Sequence, residues 1–131
     1  MTRVRTGVLA VLLAAAVTAA CQDQAPAAGL LTASLQTPNT DDGAMLVTVQ
    51  GPGLANVQSS SSSYRIYWRL VSTGEVRVLI FGNLSGGPVF TAQTPGDAGA
   101  ADYRATVVQV ADRNDAERAA AGYTALVSVA H

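Results

Sequence analysis

Tyr64-Arg65-Ile66-Tyr67-Trp68-Arg69-Leu70-Val71, then Ser72-Thr73-Gly74, then Glu75-Val76-Arg77-Val78-Leu79-Ile80-Phe81-Gly82, is the stretch that decides the fold. Its polarity repeats every second residue, which is the period of a strand and not of a helix. Tyr64, Ile66, Trp68 and Leu70 fall on one face of the first arm, and Arg65, Tyr67 and Arg69 on the other. In the second arm Val76, Val78 and Ile80 share a face. The turn length follows from keeping the faces pure. A two-residue turn sets inward Val78 against outward Arg69. A three-residue loop, Ser72-Thr73-Gly74 with the glycine left-handed, pairs Trp68 with Val78 and keeps like faces together.

The same period extends to either side. Leu31, Ala33 and Leu35 alternate with Thr32, Ser34 and Gln36. Pro38-Asn39-Thr40-Asp41-Asp42-Gly43 supplies turn chemistry: a fixed φ, side-chain caps and a residue that tolerates φ > 0. Met45, Val47 and Val49 share the face of a second strand, which Gly51-Pro52-Gly53 ends. Leu54 to Val57 reads as a short edge strand, and the serine run 59–63 as a loop. Gly82 to Gly87 reads as a turn, because its glycines lack the lysine and helix start of a phosphate-binding loop. Further strands are predicted over Val89–Thr94, Tyr103–Ala111 and Tyr123–Ala130. Between the last two, Asp112–Ala121 is predicted to form one or two helical turns, with alanines supplying propensity and Asp112 or Asn114 a cap. Seven to eight short strands separated by turn signals predict an all-β antiparallel sandwich.

Composition limits the chemistry. The 131 residues suit one domain. Eight arginines, no lysine and 9 acids give a formal charge of −1, which excludes the basic footprint of a nucleic-acid binder. One cysteine and one histidine exclude an internal disulfide and argue against a protein-built zinc site or a Cys–His nucleophile. Serine–histidine catalysis rests on His131 alone, at a position expected to fray, and no Gly-x-Ser-x-Gly elbow is present. The residue set predicts no enzyme and no cofactor.

The first twenty residues have their own character. Arg3 and Arg5 precede the apolar run Gly7–Ala16, and small residues then lead to Cys21, the order of an export signal. The run falls short of the ~20 residues that cross a bilayer as a helix. Val17-Thr18-Ala19-Ala20-Cys21 resembles the lipobox of bacterial lipoproteins, although Thr18 stands where leucine is usual. The resemblance implies a signal peptide over 1–20, thioether lipidation of Cys21 and a membrane as partner through acyl chains such as palmitate. Gln22 after the cysteine implies, by the same resemblance, an outer-membrane or cell-surface location. Residues 21–29 then form a tether and 30–131 the sandwich. Removing 1–20 takes two arginines and no acid, so the mature chain is expected to carry −3.

A second resemblance covers most of residues 30–130. Trp68 sits on the third strong strand, where immunoglobulin-like domains carry their core tryptophan, and Gly99-Ala100-Ala101-Asp102-Tyr103-Arg104-Ala105 is similar to their tyrosine-corner stretch. Gly99 replaces the usual acid and Ala105 the usual cysteine. Fibronectin type III and cohesin-like sandwiches are equally compatible.

Two residue groups are candidate sites. The deduced register sets Arg69 opposite Arg77, Tyr67 opposite Leu79 and Arg65 opposite Phe81 on the outward face of the hairpin. Facing like charges cost a few tenths to ~1 kcal/mol, and arginine and aromatics are enriched at binding hot spots. Either a neighbouring segment covers this face or it binds a protein or an anionic glycan. Asp112, Asn114, Asp115 and Glu117 form a weaker calcium candidate, which Asp41 and Asp42 or Asp97 and Asp102 join only if folding brings them near. Arg113 and Arg118 are its internal countercharges. The expectation is a lipid-anchored, non-catalytic binding or structural module. The alternatives are a small envelope enzyme, a calcium-dependent factor and a subunit of a surface assembly.

Overall fold

The computed structural model describes residues 27–131. Cys21, the expected signal peptide and most of the expected tether lie outside the described residues. The elements are β1 (Gly29–Gln36), β2 (Asp42–Gln50), β3 (Ala55–Ser59), β4 (Arg65–Ser72), β5 (Glu75–Leu84), β6 (Gly87–Thr94), a 3₁₀ turn (Ala100–Asp102), β7 (Arg104–Asp112), β8 (Glu117–Arg118) and β9 (Thr124–Ala130). They form two antiparallel sheets, ordered β3-β6-β1-β9 and β4-β5-β2-β7-β8. The ninth strand, beyond the seven or eight expected, is the two-residue β8.

The core lies where period-two alternation from both sheets converges. Leu31, Ala33 and Leu35 of β1 meet Met45, Val47 and Val49 of β2 and Val76, Val78 and Ile80 of β5. Phe90 of β6 and Val110 of β7 complete the centre, and each of these side chains is buried. Burying one of the Val, Leu, Ile, Met or Phe side chains contributes about 1.5–3 kcal/mol relative to leaving it in water.

The central hairpin keeps its predicted register but not its predicted turn. Trp68 pairs with Val78, Arg69 with Arg77, Tyr67 with Leu79 and Arg65 with Phe81. Ser72 pairs with Glu75, so the turn is Thr73-Gly74, and the odd residue is taken up as a bulge at Val71. Gly74 is not among the residues at positive φ.

Trp68 corrects a second expectation. It sits on the inner face of β4, yet it is 42% exposed, and Leu70 beside it is 55% exposed. The cause is topological: β4 is the edge of its sheet, and β3, the strand packed over it, is only five residues long. That cover reaches Tyr64 and Ile66, which pack on the core.

Asp112–Ala121 contains no helix. Oδ1 of Asp112 accepts the backbone N–H groups of Asn114 at 2.8 Å and Ala116 at 3.0 Å, and Asp115 adopts φ 63°. A side chain that caps its own turn competes with helix formation. The chain turns back as β8, pairing Arg118 with Val110 and Glu117 with Ala111. The Gly82–Gly87 turn is also shorter than expected, since β5 continues to Leu84 and β6 begins at Gly87. His131 is tied rather than frayed: its Nε2 donates to the Ala98 carbonyl at 2.9 Å.

Candidate functional site

Away from the bulges at Val71, Gly43 and Val108, every second residue of β4, β5, β2 and β7 points to the outer face of the five-stranded sheet. One transverse row is Arg65–Phe81–Ala44–Ala111, the next Tyr67–Leu79–Leu46–Gln109, and the third Arg69–Arg77–Thr48–Thr106. All six residues singled out in the hairpin therefore come together on one surface. The alternation of β2 adds Ala44, Leu46 and Thr48, whose place beside the hairpin depends on β2 pairing with β5 rather than on any local signal.

This surface is open among the described residues. Tyr67 is 56% exposed and Phe81 40% exposed, although both are aromatic and belong to regular strands. Their rings meet edge to face, with centroids 6.1 Å apart and an interplanar angle of 79°. Shallow grooves run along the face: a middle one meets its neighbour on the Phe81 side at Tyr67 and its neighbour on the Ala111 side at Leu46 and Leu79, and the one against Ala44 and Ala111 has a volume of about 400 Å³.

Charge is distributed unevenly. Of the six arginines among the described residues, Arg65, Arg69, Arg77 and Arg104 lie on this face. Glu75 offsets them in part, its Oε1 lying 3.7 Å from Nε of Arg77. Arg69 and Arg77 stand directly opposite each other, an arrangement that disfavours the free sheet.

The other two arginines serve the calcium candidate differently. Folding does bring Asp41 and Asp42 to Asp112, and it places the Arg118 guanidinium between them. Nη1 of Arg118 donates to Oδ1 of Asp41 at 2.6 Å and to Oδ1 of Asp42 at 2.8 Å, while Nη2 donates to Oδ2 of Asp41 at 2.8 Å. Oδ2 of Asp112 lies 3.8 Å from Nη2. The hydrogen bond from Arg118 holds the Asp41 carboxyl below the usual carboxylate range, and the bond to Asp41 raises the Arg118 guanidinium in turn. Arg113 donates to the Thr40 carbonyl at 3.0 Å. Asp97 and Asp102 are not joined to this cluster by any ion pair or hydrogen bond among the described residues; Oδ2 of Asp102 accepts the Gly99 N–H at 2.8 Å. No group of three or more metal-ligating His, Cys, Asp or Glu side chains occurs among the described residues. The acidic residues hold a turn and an arginine.

The chain matches no family model, no curated protein and no solved structure. The Tyr103 hydroxyl donates to the Pro52 carbonyl at 2.7 Å, pinning β7 to the β2–β3 connection, and burial pushes its phenol pKa up.

Proposed function

We propose that the chain is a lipid-anchored envelope protein whose β-sandwich is a non-catalytic binding module, taking an anionic partner on the outer face of the β4–β5–β2–β7 sheet. The observation that carries this reading is the Arg69–Arg77 pair beside exposed Tyr67 and Phe81. A sheet selected only for stability gains nothing from facing arginines, whereas an anionic partner turns their repulsion into attraction. The flanking aromatics supply apolar area, and Arg and Tyr are the residue types that dominate binding energies. The anchor reading rests on the lipobox-like Val17–Cys21. Two or three acyl chains give stable attachment, at ~0.8 kcal/mol per buried methylene.

Dextran sulfate and polyglutamate serve as probes for the full-length chain. Tyr67→Ser combined with Phe81→Ser is expected to leave the fold intact and abolish binding of both. Unfolding of that variant, or unchanged binding, overturns the reading. For the anchor, mass spectrometry of the mature N-terminus is expected to show acylated Cys21. A chain that starts upstream of Cys21, or a free thiol there, contradicts it.

A further inference from the structure

The strand edges of the sandwich are not equivalent. β3 is five residues long and broken by a bulge, with Asn56 at φ 49°. β8 has two residues, and β9 packs more closely on β7 of the opposite sheet than β4 does on β3, with every second β9 residue half-buried. β4 differs from all three. It runs for eight residues, pairs with β5 along one side, and has no strand partner on the other among the described residues. An edge strand presents a row of unpaired N–H and C=O groups, and proteins usually guard it with lysine, proline, a bulge or an inward charge. β4 has no lysine or proline, its one irregularity is confined to Val71 near its end, and Arg65 and Arg69 both point outward. Its inner face instead offers half-open Trp68 and Leu70.

We propose that β4 is a strand-addition site for an extended segment of a partner protein in which acidic residues alternate with apolar ones. The proposal deepens the binding reading above and rests on it. Backbone pairing along Arg65–Leu70 supplies affinity, and alternate side chains supply specificity. On the outer face, the acids of the added strand meet Arg65 and Arg69, with Arg77 one strand further in. On the inner face, its apolar residues extend the sheet over Trp68 and Leu70. A second copy of this chain is the poorer occupant, because its own β4 brings two more arginines and no acid to the same edge.

The test uses the full-length chain and an end-blocked peptide of alternating glutamate and valine. Two further peptides carry N-methyl groups on alternate backbone nitrogens, one in each register. Strand addition predicts that the parent peptide binds and slows amide exchange in β4. It also predicts that methylation in the register facing β4 weakens binding roughly tenfold or more, while the other register binds like the parent. Equal binding of all three peptides overturns strand addition and leaves the charged face as an electrostatic site. Binding of dextran sulfate without binding of the parent peptide does the same. Self-association with β4 amides protected before any peptide is added also overturns it. If neither dextran sulfate nor peptide binds, the outer-face reading falls as well.

Discussion

Tyr123 and Asp42 join the two sheets: the tyrosine hydroxyl donates to Oδ1 of the aspartate at 2.9 Å. Tyr123 leads into β9 of one sheet and Asp42 opens β2 of the other. The carboxylate is 0% exposed and fully engaged, since Arg118 also donates to Oδ1 and Thr37 donates to Oδ2 at 2.6 Å. Nδ2 of Asn39 donates to the same tyrosine oxygen at 2.7 Å. A buried carboxylate is tolerated when its lone pairs are filled in this way.

Tyr123→Phe removes one donor from Asp42 and the acceptor of Asn39, and is expected to cost about 1–3 kcal/mol. Urea unfolding measures this as a lower midpoint with an unchanged slope. Arg118→Ala is expected to cost more than Tyr123→Phe in the same experiment, because it removes the charge that balances Asp42.

The Asp41–Arg118 pair makes stability sensitive to acid. Because the folded carboxyl titrates below its ordinary value, its contribution is fully present above about pH 4 and is lost as pH falls through the depressed folded pKa. Asp41 is exposed, so solvent screening keeps the effect small. Thermal unfolding from neutral pH to pH 2 is expected to show a shallower acid decline for Asp41→Asn than for the parent chain.

Gly51→Ala tests the anchorage of β7. Gly51 has φ +152°, and a Cβ there runs into the Tyr103 ring. Strain and overpacking together predict a loss of about 2–4 kcal/mol. Tyr103→Phe, which leaves the Pro52 carbonyl without its donor, is expected to lose about 1–3 kcal/mol.

Calcium at millimolar concentration is expected to leave the melting temperature unchanged. Asp112 already accepts two backbone N–H groups, and Arg118 stands between Asp41 and Asp42. A rise in melting temperature on adding calcium contradicts this assignment of the acidic residues.

Which side chains share a face was legible wherever alternation was unbroken. The hairpin register followed from the single requirement that Trp68 and Val78 point the same way, and Arg69 opposite Arg77 came with it. How that register is achieved was not legible. A three-residue loop and a two-residue turn with a bulge at Val71 give the same pairs, and face purity does not distinguish them. Nor does alternation report how far the opposing sheet reaches, so Trp68 read as interior although β3 leaves it half open. Asp112–Ala121 misled for a different reason. Alanine propensity is a weak local preference, and it lost to the Asp112 cap and to the pull of Asp41 and Asp42 on Arg118.

The outer face is tested most directly by Arg69→Ser combined with Arg77→Ser in the full-length chain, measuring thermal stability and polyanion binding on the same samples. Removing the facing charges relieves a repulsion of a few tenths to ~1 kcal/mol. The predicted result is a melting temperature equal to or above that of the parent chain, together with loss of dextran sulfate and polyglutamate binding. A lower melting temperature with binding retained would contradict it, and would make the arginines structural.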